Sequence, residues 1–561
     1  VDARGCGEPE PSSCGGKRLE RSQPKTLQAF RNRTFRTLWS ASVVSNTGGM
    51  IQLVGAAWLM TLLSSSERMV ALVQASVTLP LMVISLIAGV LADNYERRSV
   101  MLAAQIMMLA VSSLLATLVL AGWMTPWLLL ALTFFISVGT ALHYPSWQAS
   151  FTDLVPREDL PSAATMNAMG MNITRSLGPA IGGFVVATFG IGAAFLINAA
   201  SYLAIIVGLA AWRPIRPERR LPRESFYGAL EAGIRYFAAS SNIINICIRG
   251  FIFGFAAISM QALLPLVARD VLVADAMVYG LLLAAFGSGA VCGALVAARI
   301  RSHLSIEQIC KLSFVVFALA AICLAYVGHV WISCLALFVG GASWININSL
   351  LNVAVQMSVP RWVLGRMIAI FMTFIFGGMA LGSWTWGMVS ESFGLQAAFV
   401  AAAIVLFCGL LWGYVWPVLA YPATDLDPLN HFKAPAVRLD LNSSSGPVAI
   451  MVEYEIAEGD VAAFLQAMET WRRIRLRDGA RRWSLLRDIE APDHWIESYH
   501  VASWTDYIRH VDRRTVADQH VLERLTALHC GQKPMRVHRM VGRHMISRAG
   551  SASTAPFPEP I

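Results

Sequence analysis

The sequence predicts an all-α membrane protein of about twelve transmembrane helices in two parallel six-helix repeats, followed by a ferredoxin-like α+β domain. Three observations carry this reading: a deficit of charge, a series of apolar stretches of membrane-spanning length, and a repeat at one constant offset. Of 561 residues, 56% are hydrophobic and only 14% are charged, with a mean hydropathy of +0.55. A soluble domain carries roughly 25% charged residues. The charge deficit is concentrated between Leu38 and Val418, where apolar stretches of about 20 residues match a ~30 Å hydrocarbon core.

In chain order the reading gives a basic tail (1–34) and a first six-helix bundle (35–212) with helices at 38–63, 69–91, 100–123, 126–150, 163–189 and 192–212. A basic, Pro-containing linker (213–242) follows, with a short amphipathic helix at 231–239. The second bundle (243–420) has helices at 243–267, 277–298, 312–328, 330–355, 367–389 and 396–419. Beyond the linker 421–447 the periodicity changes to strand 448–456, helix 460–476, strands 482–489 and 495–501, helices 504–511 and 516–528, and strand 535–541. That β-α-β-β-α-β order predicts the ferredoxin-like domain (448–541), ahead of a disordered tail (542–561).

The two bundles repeat one another. Val155-Pro156-Arg157 recurs as Val359-Pro360-Arg361, an offset of 204 (359 − 155). The same register pairs Leu177-Gly178 with Leu381-Gly382, Gly183 with Gly387, Phe189-Gly190 with Phe393-Gly394, and Gly89 with Gly293. One register held through loops is duplication, and copies lying on the same membrane side require an even helix count. Parallel six-helix halves are a transporter architecture with the substrate site at their interface.

The net charge of +9 follows the membrane. Odd-numbered connections hold chiefly Arg68 and Arg269, whereas the tail and even-numbered connections hold many cations, including Arg97, Arg98, Arg213, Arg216, Arg299, Arg301 and Arg366. By the positive-inside rule both termini are expected in the cytoplasm, and the charge needs no nucleic-acid partner. The nine cysteines are scattered without metal-ligand or disulfide spacing, so no metal or cofactor is expected. No signal-peptide cleavage pattern precedes the first helix.

The sharpest local motif is Gly89-Val90-Leu91-Ala92-Asp93-Asn94-Tyr95-Glu96-Arg97-Arg98. Here the chain resembles the major facilitator superfamily, whose loop between helices 2 and 3 carries such a signature. The resemblance implies a gating motif of Gly89, Asp93, Arg97 and Arg98, with Asp93 docking near Arg366–Met367 as a latch. In the second copy Ala297 stands where the first has Asp93, so the latch is expected in one half only. Helix 5 carries Gly178-Pro179-Ala180-Ile181-Gly182-Gly183, which looks like the exporter motif of the same superfamily; generic small-residue packing is the alternative.

Candidate cavity residues are Asn46, His143, Arg175, Arg249 and Asn346, with Gln52, Asn167, Asn172, Asn245, Gln261 and Asn348 behind them. An arginine inside a membrane helix is costly and usually faces a cavity. Arg249 has the alternative of snorkelling to the surface, and each amide that of bonding a neighbouring helix. His143 is either a packing residue or a proton relay. No Asp or Glu lies well inside a predicted helix, which argues against proton coupling through a buried carboxylate.

The C-terminal domain resembles the small dimeric α/β-barrel domains of the antibiotic-biosynthesis-monooxygenase type, implying possible dimerisation. No nucleophile–base pair marks it as an enzyme, and His500, His510, His520, Arg509, Arg513 and Arg514 read as a solvated basic face. The whole arrangement resembles the enterobactin-exporter-like subfamily of transmembrane secretion effectors. Carrying this are His143-Tyr144-Pro145-Ser146-Trp147-Gln148-Ala149, Leu154-Val155-Pro156, Asp478-Gly479-Ala480-Arg481-Arg482-Trp483 and Trp495-Ile496-Glu497-Ser498. It implies export of a small molecule (siderophore, drug or metabolite), and the activity expected is proton-driven antiport across the inner membrane by alternating access. Import, sensing through a regulatory C-terminal domain, and a fused enzyme are the rival readings.

Overall fold

The computed structural model describes residues 28–94, 96–212, 226–360, 362–418, 439, 441–442 and 445–542, and the side chains of these except at 85–94, 157 and 226–229. The first six long helices are α1 (Arg33–Leu63), α2 (Glu67–Asn94), α3 (Arg97–Leu120), α4 (Pro126–Leu154), α5 (Leu160–Phe189) and α6 (Ile191–Ala211). A connecting helix α7 (Phe226–Ala239) leads into α8 (Ser241–Ala262), which continues through α9 (Leu264–Leu266) and a π turn at Val267–Val271. Then come α10 (Ala276–His303), α11 (Ile306–Tyr326), α12 (Val330–Met357), α13 (Leu364–Phe393) and α14 (Leu395–Val415).

Ten of these twelve long helices are apolar enough over 18 residues to cross a membrane. The exceptions, α1 and α5, have 31 and 30 residues. Length is not what they lack. They carry Ser42, Ser45, Asn46 and Gln52, and Asn167, Asn172, Thr174 and Arg175, which lower their hydropathy. Helix α11 starts six residues before the predicted 312, because Ser305 and Gln308 form a reciprocal capping box.

The repeat is a structural one. Helix α5 at 160–189 is matched at both ends by α13 at 364–393, and α6 at 191–211 by α14 at 395–415, each 204 residues on. The intervening turns use Gly190 and Gly394 at φ +82° and +90°, where a β-carbon is strained. Packing repeats too: α1 on α6, α3 on α6 and α2 on α4 are mirrored by α8 on α14, α11 on α14 and α10 on α12. Two extensive contacts join the halves, α2 with α13 and α5 with α10. Trp123, Trp127, Phe189, Trp331 and Phe393 are exposed at helix ends on one face, the aromatic belt of a membrane boundary.

The C-terminal domain lies at the other face. Its strands β1 (Val448–Glu455), β2 (Arg481–Arg487), β3 (His494–Val501) and β4 (Arg536–Val541) form an antiparallel sheet in the order β2-β3-β1-β4. Helix α15 (Val461–Asp478) connects β1 to β2, while α16 (Trp504–Asp512) and α17 (Val516–Ala527) connect β3 to β4. Alternate β1 residues Val448, Ile450, Val452 and Tyr454 pack with Phe464, Met468 and Trp471 of α15.

The centre of this domain is polar and organised around one carboxylate. Glu497 accepts from Arg475 Nε (3.0 Å), Trp483 Nε1 (3.0 Å), Tyr454 Oη (3.0 Å) and Trp471 Nε1 (3.3 Å). Burial pushes its carboxyl upward, but the Arg475 charge and these donors hold it below its ordinary value. His510 corrects the sequence reading. It is buried 3.2 Å from Arg475 Nη1, not on a solvated face, and burial followed by the Arg475 and Arg514 charges pushes it well below the usual histidine range.

Candidate functional site

Three adjoining cavities of about 230, 320 and 760 Å³ occupy the interior, and Arg175 lines all of them. The smallest is walled by the first six helices, the middle one lies between the halves, and the largest is a vestibule towards the face that bears the C-terminal domain. Ligand pockets are commonly 300–1,000 Å³.

The opposite face is closed. Gly183 of α5 lies so near Gly280 of α10 that a β-carbon on either would stand 2.7–2.8 Å from the other helix's backbone. On the second seam, Ser66 donates to Glu391 (2.9 Å), Ser390 donates to Glu67, and Arg68 pairs with Glu391 (3.5 Å). Arg269 Nη1 donates to the Thr61 carbonyl (3.0 Å). Towards the domain-bearing face, Ala168 and Asn172 of α5 and Ala294 and Ala298 of α10 line the vestibule instead. The transition from contact to vestibule falls at Arg175, whose backbone carbonyl packs on Gly287.

Asn46 lines the smallest cavity and donates weakly to Ser42 Oγ (3.4 Å). His143 lines it too, its Nδ1 3.3 Å from Gln105 Nε2 and its ring stacked on Trp147. Arg175 is exposed to the cavities and has no ion pair or hydrogen bond among the described residues.

Two candidates stand elsewhere. Arg249 is 2% exposed, paired with Glu307 (2.7 and 3.1 Å), and donates to the Trp416 carbonyl (2.9 Å). It neither lines these cavities nor snorkels; it ties α8 to α11 and to the end of α14. Glu307 precedes the predicted helix start at 312, so the sequence does not mark it as a helix-buried acid. Asn346 bonds the carbonyls of Gly293 (3.2 Å) and Ala342 (2.8 Å), joining α12 to α10. Asn245 likewise bonds the Trp416 and Pro417 carbonyls.

The helix-5 motif is a packing wedge. Gly178 abuts Met50, Gly182 abuts Ile51 and Val54, and Gly183 with the Pro179 carbonyl meets Gly280. The surroundings of Gly89 and the side chain of Asp93 lie outside what the structure describes. Arg97 bonds the Ala149 carbonyl (2.6 Å) and Asp153 (3.0 Å), while Arg98 bonds the Leu209 and Ala210 carbonyls (2.8 Å each). Both cations therefore sit at helix C-termini, where the dipole favours them.

Gln74, Gln105, Trp344 and Arg301 also line the cavities and were not singled out by the sequence. A lone glutamine in an apolar helix was a usable signal for the first two. Arg301 reads in the sequence as one more loop cation. The C-terminal domain docks beside the vestibule: Arg481 pairs with Glu231 of α7 (2.8 Å), and Arg513 covers Trp362 before α13 (4.3 Å). Trp362 meets Tyr236 of α7 edge-on.

The pattern of the transmembrane secretion effector family matches residues 25–547. The enterobactin exporter EntS of Salmonella typhimurium is 30% identical over 318 residues, covering 53% of this chain and 71% of that protein. Macrolide efflux protein A of Streptococcus pyogenes is 22% identical over 42% of this chain and only 59% of its own length. Among solved structures, the nucleoside transporter NupG aligns at a TM-score of 0.55 with 14% identity, over 68% of this chain and 98% of its own. A POT family transporter in complex with 5-aminolevulinic acid aligns at 0.57, also with 14% identity, over 68% and 96%. These two likenesses show the fold of the helical region.

Proposed function

Because the chain belongs to the transmembrane secretion effector family, a family of multi-pass transporters rather than enzymes, we propose that it exports a small molecule across the inner membrane by alternating access. The observation that carries this is the interior cavity, closed at one face and opening as a vestibule at the other. In this reading all twelve long helices span the membrane, with α1 and α5 spending hydropathy on the cavity they line. Both termini are cytoplasmic, so the open vestibule faces the cytoplasm and loads substrate from within. The EntS and macrolide efflux relatives support the outward direction and leave the substrate to be found among siderophores, drugs and metabolites.

Proton antiport would run through His143, the histidine of the smallest cavity, with Gln105 as its partner. Asp93 keeps the proposed latch role; Asp93→Asn should impair transport at normal expression. The sheet order β2-β3-β1-β4 supports the ferredoxin-like reading of the C-terminal domain, which we propose regulates transport from its seat on α7 and Trp362 and offers a surface for dimerisation. A deletion strain should accumulate substrate and lose the excess when the intact gene returns. Lower accumulation on deletion would mean import and overturn the export reading.

A further inference from the structure

We infer that the cavity around Arg175 takes an organic anion, an amphipathic molecule with an acidic group on an aromatic or apolar body. This rests on the reading of the cavity as the transport site and adds the chemical class of its occupant. Three other arginines of the helical region have a carboxylate: Arg249 has Glu307, Arg97 has Asp153, and Arg269 has Asp270. Arg175 has none among the described residues, although it sits midway along the 30-residue α5. An arginine midway along a membrane-spanning helix is costly unless it faces a cavity, and here it faces one with its guanidinium open to whatever fills it. The described residues lining the three cavities include no Asp or Glu. The counter-charge therefore comes from what enters.

A second arginine points the same way. Position 301 is the 204-residue equivalent of Arg97, and position 357 that of Asp153. The C-terminal half keeps the arginine but has Met357 in place of the acid. Arg301 instead donates to Ser349 Oγ (2.7 Å) and lines the vestibule. One guanidinium thus stands in the vestibule and another at its depth, with no described carboxylate lining the space between. Such a field concentrates anions and repels cations. The middle chamber supplies the rest of the recognition: Trp344, Phe286, Phe376 and Met50 offer aromatic and thioether surface. Met379, the repeat equivalent of Arg175, lines the same chamber. In this chamber the occupant therefore meets the Arg175 charge from the first half and a mainly apolar wall from the second.

The test uses the purified full chain in nanodiscs and three probes of matched shape: 2-naphthylacetate, its neutral amide, and 2-naphthylethylamine. Binding is read by equilibrium dialysis for wild type, Arg175→Gln and Arg175→Lys. The expected result is anion binding at least tenfold tighter than the amide or the amine, lost in Arg175→Gln and largely kept in Arg175→Lys. Equal binding of the three, preference for the amine, absence of saturable anion binding, or an Arg175→Gln protein that keeps the preference would each overturn the inference. Proper folding of the variants is checked by their thermal midpoints. If the anion preference holds but deletion lowers cellular accumulation, the export direction fails and the substrate class stands.

Discussion

The two halves of the helical region share one register and one set of helix contacts, yet opposite chemistry fills their cores. In the first half, the junction of α1, α3 and α6 is a buried polar network. Ser112 donates to Gln52 Oε1 (3.0 Å), and Asn198 Nδ2 reaches Gln52, Ser112 (3.3 Å) and Tyr202 (3.1 Å). In the second half, the equivalents of Gln52, Asn198 and Tyr202 are Ala256, Ala402 and Leu406. The matching junction of α8 and α11 is aromatic, with Phe253 centred 5.3 Å from both Phe314 and Phe317. Satisfied polar networks hold one geometry and are expensive to break, whereas apolar contacts tolerate sliding. The duplication kept the scaffold and divided the work. The first half is specified by hydrogen bonds and holds Arg175, unpaired among the described residues; the second is a mainly apolar body in which the buried Arg249 is neutralised and Arg301 stands at the vestibule.

That pair is where the comparison breaks most strongly. Removing one partner of a buried ion pair costs about 3–5 kcal/mol because the other is left uncompensated. Arg249→Met and Glu307→Gln should each lower the thermal midpoint markedly, since Glu307 also accepts from the Val418 amide (3.0 Å). The double variant Arg249→Met/Glu307→Met should recover part of the loss. Their first-half equivalents, Ser45 and Ala103, should tolerate Ser45→Ala and Ala103→Ser with little change. A large loss at Ser45 would contradict the division.

Arg249 also marks how far the sequence could be read. Helix number, the 204-residue register and the order of the C-terminal elements were legible, because apolar period, glycine punctuation and duplication leave one-dimensional traces. Arg175 and Arg249 looked alike in sequence, both being arginines in apolar helices. What separates them is Glu307, 58 residues from Arg249, and no local pattern announces a counter-charge on another helix. The same applies to Asn46 and Asn346. One faces the cavity and the other finds carbonyls on α10 and α12, a choice made by helix rotation, not composition.

The next effect tests the wedge between the halves. Gly183→Val would push a branched side chain into Gly280 at the closed face. Overpacking of this kind costs about 1–3 kcal/mol, which would shift the balance away from the closed face by about 5- to 150-fold. Expression should survive while transport falls, and cysteine cross-linking across the α5–α10 seam should report the opening. Asn198→Ala should cost about 1–3 kcal/mol by leaving the buried Tyr202 hydroxyl without its donor and Gln52 with Ser112 alone. Gln52→Ala combined with Asn198→Ala and Tyr202→Leu, which copies the second half, should cost less than the sum of its parts.

The second half also carries the C-terminal domain, and pH probes that attachment. Burial keeps His510 neutral in the folded domain, while in the unfolded chain it takes a proton near pH 6.5. The unfolded state therefore binds more protons below that pH, and the contribution of neutral His510 is lost as pH falls from about 6.5, with a limiting slope of about 1.4 kcal/mol per unit. Asp478, pushed up to about 6 by burial against the opposing Arg477 charge, works in the other direction over the same interval. The informative quantity is thus the difference between wild type and His510→Gln. Between pH 7 and 5, hydrogen exchange of β3 amides, corrected for its intrinsic pH dependence, should rise more in wild type than in the variant. Equal slopes would remove His510 from the account.

The smallest effect is the most pointed. If Arg301 faces the vestibule because the second half lacks an acid at 357, then Met357→Asp should give it the counter-ion that Arg97 has in Asp153. Met357 is exposed, and exposed ion pairs are worth about 0–1 kcal/mol, so the thermal midpoint should barely move. Affinity for an anionic probe should nevertheless weaken by up to about fivefold as the vestibule loses part of its positive field, while the neutral probe is unaffected. Salt separates this from a packing effect, because screening at about 1 M should erase the difference between variant and wild type. A loss that persists at high salt, or that extends to the neutral probe, would mean that Met357 acts through shape and that the freed arginine is not what distinguishes the two halves.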